Sequence, residues 1–295
     1  MTEAEIFDRG YRRFDGDRSG TLGAVRSLSW HTTRGILGLG RKARHKVFPV
    51  LVIILAFLWP VVFIGIAALF PVDIFADELR PEYWELARFP LIVMAIMLFS
   101  AMVVPEALVR DRRNGMLPLY LSSPLTRATY LLGKVLAVMG TLAIVTTGPA
   151  LLLLLGVTFE GEGPDGPLNW AKVAGQIFLA GTGMAAVFAA VGLAVSSLTD
   201  RRAFASVAVV LVLIGSGGIV AGLVEGAEMS QNLRVFNVVD MAIEVAPRIF
   251  GAAEGQGDRG PEASLSGSTY LAGVFGWIGG SAAVVWARYR RIGAV

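Results

Sequence analysis

Residues 47–70 read VFPVLVIILAFLWPVVFIGIAALF and contain no charged side chain. An α-helix rises 1.5 Å per residue, so about 20 apolar residues are needed to cross the hydrocarbon core of a membrane. This stretch is long enough to do so. It predicts a transmembrane helix. Other uncharged apolar stretches occur in the rest of the chain.

Further apolar stretches follow along the whole chain. The six predicted spans are residues 47–70, 87–105, 135–158, 173–198, 203–224 and 268–287. The 295 residues are 55% hydrophobic and 17% charged, whereas soluble domains average about 25% charged residues. The sequence therefore predicts an all-α integral membrane protein, with an N-terminal region at 1–46 and a six-span domain at 47–295.

The basic residues are distributed unevenly between the two sides of the predicted membrane. Most of the 26 Lys and Arg residues fall before span one, between spans two and three, between spans four and five, and after span six. Because Lys and Arg resist translocation, we expect a multi-pass protein of the cytoplasmic (inner or plasma) membrane with both termini in the cytoplasm. The basic character then reflects topology and contact with membrane lipid, and no nucleic-acid partner is expected.

Two segments outside the spans have helical patterns. Residues 21–46 interleave apolar and basic side chains, which predicts an amphipathic helix in the membrane interface, although a flexible basic tail fits the same composition. Residues 232–250 place apolar side chains at helical spacing, which predicts an external amphipathic helix before span six. That helix either covers the outer ends of the spans or forms part of an exit gate.

Residues for catalysis or energy conversion are missing from the sequence. There is no cysteine, and the two histidines, His31 and His45, lie in the basic N-terminal region, away from any metal-ligand pattern. No Gly-x-x-x-x-Gly-Lys-Ser/Thr phosphate loop occurs, and the centres of the spans contain no ion-binding charge. We therefore predict no catalytic residue, no metal site and no cofactor bound by this chain.

Residues 106–134 read EALVRDRRNGMLPLYLSSPLTRATYLLGK and join spans two and three. Basic side chains open the segment, an apolar patch follows at 116–121, and Pro118 suits the first turn of a short helix. Pro124 ends that element. The pattern predicts a short helix below the membrane that offers its apolar patch to a soluble partner. An ordinary interfacial loop with snorkelling arginines fits the composition equally well.

This segment resembles the first coupling segment of type 2 ABC transporter permeases. Their pattern is an acidic residue, a basic pair, Gly, a hydrophobic run, Ser-Pro-Leu-Ser/Thr-Arg and then Gly-Lys. The matching residues are Arg112, Arg113, Gly115, Leu117, Leu119, Leu121, Ser123, Pro124, Leu125, Thr126, Arg127, Gly133 and Lys134, with Tyr120 in the same hydrophobic run. The family's acidic residue is either Asp111 or Glu106, and Pro118 stands at a commonly acidic position.

The turn between spans four and five resembles the second cytoplasmic contact of the same family. It contains Asp200, Arg201 and Arg202. Basic turns are common in membrane proteins, so this match is less specific than the first one.

The resemblance implies a function that the composition alone does not. The chain would be the permease subunit of an ATP-binding-cassette exporter, with the 106–134 segment as its coupling helix against a separate ABC ATP-binding subunit that holds ATP and Mg. A second permease copy or a homologue would complete the transporter. The uncharged spans favour a lipophilic or amphipathic cargo.

Two alternatives remain open from the sequence. The chain would be either a non-transport ABC membrane subunit that does mechanical or regulatory work on an envelope partner, or an uncoupled membrane carrier.

Overall fold

The computed structural model describes residues 20–40, 42–69, 82–252 and 265–291. The structure is 84% helical, and no strand occurs in those four ranges. This confirms the predicted all-α class. Of the predicted N-terminal region 1–46, residues 1–19 and 41 lie outside the described ranges.

Eleven α-helices occur in the described ranges. They are α1 (Gly20–Ile36), α2 (Arg44–Leu69), α3 (Pro90–Arg113), α4 (Leu117–Leu121), α5 (Arg127–Thr146), α6 (Gly148–Phe159), α7 (Gly166–Ser197), α8 (Arg202–Ala221), α9 (Val238–Ile243), α10 (Val245–Phe250) and α11 (Gly267–Arg291). Short 3₁₀ turns lie at Glu85–Arg88 and Gln231–Phe236, and a π turn follows α8. Six of the helices, α2, α3, α5, α7, α8 and α11, are long and apolar enough to cross a membrane, which is the predicted number.

Helices α3 and α7 form the centre of the bundle. About 70% of the most apolar window of each is buried, at 72% and 67%, against 17–22% for α2, α8 and α11. Phe99 and Leu108 of α3 and Met184 and Phe188 of α7 are almost completely buried. The outer helices expose apolar side chains instead, which is stable only where lipid or another apolar surface replaces water.

The helix of the third predicted span, 135–158, is interrupted at Thr147. Pro149 has no N–H to donate to the carbonyl of Val145, so the intrahelical hydrogen bonds break where α5 passes into α6. Next to this break, the hydroxyl of Thr146 donates a hydrogen bond to the carbonyl of Gly181 on α7, at 2.8 Å. Candidate span three in the structure is Arg127–Thr146, so it begins earlier than predicted.

The segment predicted as one amphipathic helix at 232–250 consists of three short helical pieces. Asn237 is extended, and its side-chain oxygen accepts hydrogen bonds from the backbone N–H groups of Val239 and Asp240 at the start of α9. Pro247 cannot donate to the carbonyl of Ile243, which separates α9 from α10. Of the apolar side chains at helical spacing in this segment, Val238 and Ala242 are completely buried.

The two ends of the bundle are formed by different elements. The end formed by α1, α4 and the 198–201 turn is called the α4 end below, and the end formed by Glu85–Arg88, α9 and α10 is called the α9 end. At the α4 end, α1 packs directly on α5, where a Cβ on Gly133 would lie 3.0 Å from Cδ2 of Leu28. At the α9 end, Arg88 forms an ion pair with Glu244 at 2.6 Å.

Candidate functional site

The connection between α3 and α4 is a tight turn at Asn114 and Gly115. Gly115 has a φ of 63°, in the left-handed region that residues with a Cβ rarely adopt. The N–H of Met116 donates to the carbonyl of Asp111 at 2.9 Å, which closes the turn. The glycine of the family pattern therefore has a conformational reason here, since it lets α4 start immediately after α3 ends.

Helix α4 has one face on the protein and one face in solvent. Leu117, at the start of α4, and Leu125, four residues after its end, are each 6% exposed and hold the segment against the bundle. Leu119 is 62% exposed, whereas Tyr120 and Leu121 are half-buried. Of the predicted apolar patch, Leu119 is the large side chain that is free to meet a partner.

The serines and threonines after α4 fix the direction of the chain. The hydroxyls of Ser122 and Ser123 donate to the carbonyls of Leu119 and Tyr120, at 2.8 and 2.6 Å. Thr126 and Thr129 then form a reciprocal capping box that starts α5. The Ser-Pro-Leu-Thr sequence thus works as a helix stop followed by a helix start.

Arg112 joins the end of α3 to the end of α7. Its side chain is 5% exposed, and its guanidinium donates to the carbonyls of Ser196, at 2.7 Å, and of Ser197 and Thr199. Its Nε also lies 3.4 Å from Oδ1 of Asp200, as a charge contact rather than a hydrogen bond. The last carbonyls of a helix have no intrahelical donors and carry partial negative charge, so a buried arginine fits them well.

Lys134 forms the centre of a second buried polar group. Its Nζ lies 2.6 Å from Oδ2 of Asp111 and donates to the hydroxyl of Thr32 on α1, at 3.0 Å. Tyr130 donates to the same carboxylate oxygen, also at 3.0 Å. The group thus connects α1, α3 and α5 through charged and polar contacts that are shielded from water.

Tyrosine rings enclose this group. Tyr120 and Tyr130 lie with ring centroids 5.5 Å apart, and Tyr289 of α11 lies 6.0 Å from Tyr130. Lys134 Nζ is 5.8 and 5.5 Å from the Tyr120 and Tyr130 centroids, within the range of cation–π attraction. Burial, and secondarily the charge of Asp111, raises the pKa of Tyr120, so its hydroxyl stays neutral.

Glu106 forms a bridge to the turn between α7 and α8. Its carboxylate lies 2.9 Å from Nη1 of Arg202 and 3.9 Å from Nη1 of Arg110. The sequence left open whether Asp111 or Glu106 is the acidic residue of the family pattern. In the structure both carboxylates have basic partners, Asp111 within the bundle and Glu106 across to α8.

The structure brings the two predicted contact regions together. Arg112 binds backbone carbonyls within 196–199 and Glu106 binds Arg202, so the 106–134 segment and the turn before α8 form one continuous surface. Arg113, Ser123, Pro124, Thr126 and Arg201 are exposed on it, as is Gly115. Arg112 and Leu117 are on the buried side and stabilise that surface from within.

Sequence reasoning did not assign contacts to Thr32, Tyr130 or the Ser196 and Ser197 carbonyls. The sequence did contain a signal for the contact of Thr32, because Lys134 opens an apolar span and a lysine in that position needs partners when it is buried. Backbone carbonyls leave no such signal in a sequence. Within the described ranges, no cluster of three or more His, Asp or Glu side chains is arranged to hold a metal ion.

A family model described as ABC-2 family transporter protein matches residues 70–238, more than half of the chain. The chain belongs to the ABC-2 transporter family. The match confirms the predicted family, and it covers α3 to α8 with the turn between α7 and α8. No curated protein matches the chain.

Membership places this ABC-2 protein among the membrane subunits of ABC transporters and not among their ATPases. ABC-2 permeases typically work with an ATP-binding subunit. The six apolar helices and the family together identify a membrane protein.

Proposed function

We propose that this ABC-2 protein is the permease subunit of an exporter, and that a separate ATP-binding subunit drives it by pushing on the α4 end. ATP and Mg would be bound by that subunit. The α4 end would face the cytoplasm, in keeping with the concentration of Lys and Arg on that side. The protein would reside in the cytoplasmic membrane.

The observation that best supports this proposal is the Arg112 contact. A coupling element must transmit force, so it must be rigidly attached to the spans that move. Arg112 lies in the last turn of α3, just before the turn into α4, and its buried side chain binds the carbonyls at the end of α7. A push on α4 would therefore reach α3 directly and α7 through Arg112, and these two helices form the centre of the bundle.

The exposed side of the same surface has the composition of a docking site. Leu119 provides an exposed apolar side chain, and Arg113, Arg201 and Arg202 surround the region with positive charge. An aliphatic anchor inside a polar rim is the usual arrangement of a protein interface. The ATP-binding subunit would present an apolar groove with an acidic border.

A lipophilic or amphipathic cargo fits an apolar groove on the side of the bundle. A groove of about 590 Å³ lies between α7, α8 and α11 and is lined almost entirely by apolar side chains, among them Val212, Trp277 and Val284. A second copy of the chain, or a homologue, would line the other side of the transport path. The exposed apolar faces of α2, α8 and α11 leave room for such a partner.

Regulation of an envelope partner through the α9 end receives less support. The apolar face of α9 and α10 is covered by the protein's own helices, since Val238, Met241 and Ala242 are fully buried. The segment therefore fits a cover over the outer ends of the spans better than a docking surface. An uncoupled carrier is disfavoured by the family match.

The proposal is tested by Leu119→Asp in a tagged chain produced in its native host. We expect the variant to insert normally but to lose most of the ATP-binding subunit that co-purifies with the unaltered chain. Leu168→Asp is the matched control, because Leu168 is 83% exposed at the opposite end of the bundle. Unchanged co-purification with Leu119→Asp, or equal loss with Leu168→Asp, would refute the role of α4.

A further inference from the structure

A polar cavity of about 260 Å³ lies at the α4 end between α1, α3, α4 and α5. Its polar lining includes His31, Thr32, Glu106, Arg110, Asp111 and Lys134. Ligand pockets for drug-sized molecules usually measure about 300–1,000 Å³, so this one suits a smaller polar group. The lipophilic cargo proposed above would not fit its size or its polarity.

The deepest charged group of the cavity has an unused hydrogen-bond donor. A lysine ammonium has three N–H donors, and among the described residues Lys134 has two oxygen partners, Asp111 and Thr32. The rings of Tyr120 and Tyr130 attract the charge but supply no oxygen acceptor at hydrogen-bond distance. Because Lys134 lines the cavity, its third N–H donor is available to a group that enters the cavity.

The charges around the cavity favour an anion. Asp111 is neutralised by Lys134, and Glu106 is shared between Arg202 at 2.9 Å and Arg110 at 3.9 Å. Among the charged side chains that line the cavity, Glu106 and Asp111 balance Arg110 and Lys134, and Arg202 adds one positive charge from outside the lining through its contact with Glu106. The Arg110 side chain is 50% exposed, so its guanidinium has donors free to turn toward a ligand.

The wall that α1 contributes exposes both apolar and basic side chains on its outer side. Leu22 and Trp30 are 85% and 60% exposed, while Arg26 and Arg34 are also exposed on the same short helix. A helix that exposes both apolar and basic side chains is stable at the boundary between lipid tails and headgroups. With α1 at this boundary, the cavity beside it would open at the depth where lipid phosphates lie.

We propose that this cavity binds a phosphate group, which accepts hydrogen bonds from Lys134, Arg110 and His31. The phosphate would come from a phospholipid headgroup on the α4 side of the membrane or from free phosphate in solution. The site is independent of the docking of an ATP-binding subunit. It would connect α1 to the α3–α4 turn, so that its occupancy stabilises the α4 end.

The test uses the full chain in a neutral maltoside detergent and measures its melting temperature. Three probes are titrated separately: dihexanoyl phosphatidylglycerol, dihexanoylglycerol with the same tails and no phosphate, and inorganic phosphate. We expect the phospholipid to raise the melting temperature saturably, because a ligand that binds the folded state stabilises it, and dihexanoylglycerol to leave it unchanged. A similar rise with inorganic phosphate identifies free phosphate as a sufficient ligand, and no rise identifies the lipid headgroup.

Two variants locate the site. Arg110→Gln and His31→Gln should each raise the half-saturating phospholipid concentration by about tenfold, as expected for loss of one charge-assisted hydrogen bond. Arg34→Gln, on α1 but outside the cavity, is the control and should bind as the unaltered chain does. His31 is exposed, so His31→Gln still tests the site if Arg110→Gln lowers the melting temperature of the ligand-free protein.

Three results would overturn the proposal. The first is the absence of any saturable shift with the phosphate-containing probes. The second is an equal shift with dihexanoylglycerol, since the lipid tails would then suffice. The third is an equal loss of affinity in Arg34→Gln and in the cavity variants, since a diffuse basic surface would then explain the binding.

Discussion

Nζ of Lys134, in the second turn of α5, lies 2.6 Å from Oδ2 of Asp111, in the last turn of α3. Their side chains are 3% and 12% exposed, so the pair is shielded from solvent. Taking two charges out of water is costly, and the cost is recovered only when each has its partner. The pair therefore makes the position of α3 depend on that of α5.

Lys134→Met should destabilise the protein strongly. Removal of one member of a buried ion pair costs about 3–5 kcal/mol, because the other charge stays buried without compensation. We expect a clear fall in the melting temperature of the purified chain. Lys172→Met is the control and should have little effect, because Lys172 is exposed in α7.

The double variant Lys134→Met with Asp111→Asn distinguishes charge from packing. With both charges gone, no uncompensated carboxylate remains, and most of the lost stability should return. A double variant that melts as early as the single one would show that the methylene packing of Lys134, and not the pairing, stabilises the site.

Arg112→Lys should loosen the connection between α3 and α7. A lysine supplies one compact charge, whereas the guanidinium reaches the carbonyls of Ser196, Ser197 and Thr199 together. We expect a cost of about 1–3 kcal/mol and loss of ATPase stimulation by cargo in the complex. Arg113→Lys, at the exposed neighbouring position, should leave both unchanged.

Spin labels measure this connection without any partner subunit. The chain has no cysteine, so labels placed at exposed Asn114→Cys and Arg201→Cys report one distance. The distribution should be narrow with Arg112 present and broader in Arg112→Lys. An equally narrow distribution in both would mean that other contacts hold the two regions together.

Most of the architecture was predictable because uncharged runs of about 20 residues have few alternatives to a transmembrane helix. The ends of the helices were less predictable. Five of the eight residues 106–113 are charged, yet this stretch extends α3 beyond the predicted end of span two because Glu106, Asp111 and Arg112 find partners on other parts of the chain. Such tertiary pairing leaves no periodic signal.

The candidate site shows the same limit. Order and spacing predicted the short helix α4 and the glycine turn before it, because those features are local. The assignment of Arg112 to a partner-facing surface could not be checked by pattern, since its acceptors are backbone carbonyls 84–87 residues away. Long-range contacts to backbone atoms require the fold itself.

Cysteine labelling tests the proposed topology. Ser122→Cys lies in the α4 end and Ser266→Cys just before α11, and both positions are exposed. In intact cells, a membrane-impermeant maleimide should label Ser266→Cys, and Ser122→Cys should react only after the membrane is opened. Labelling of both positions in intact cells would contradict a six-span arrangement with the α4 end in the cytoplasm.

Gly181→Ala should disturb the junction between α5, α6 and α7. A Cβ at this position would lie 2.0 Å from Oγ1 and 2.8 Å from Cα of Thr147, and the backbone atom cannot rotate away. Overpacking of this kind costs about 1–3 kcal/mol. Gly175→Ala is the matched control on the same helix, because its Cβ would meet nothing within 4 Å and alanine favours a helix by about 0.5–1 kcal/mol.

A second substitution decides whether the close approach is the cause. Thr147→Ala removes Oγ1 but leaves Cα in place, so the double variant with Gly181→Ala should recover only part of the lost melting temperature. Full recovery would mean that the hydroxyl alone made the contact unfavourable. No recovery would mean that the backbone of the α5–α6 break, which Pro149 prevents from continuing as a helix, sets the distance between the two helices.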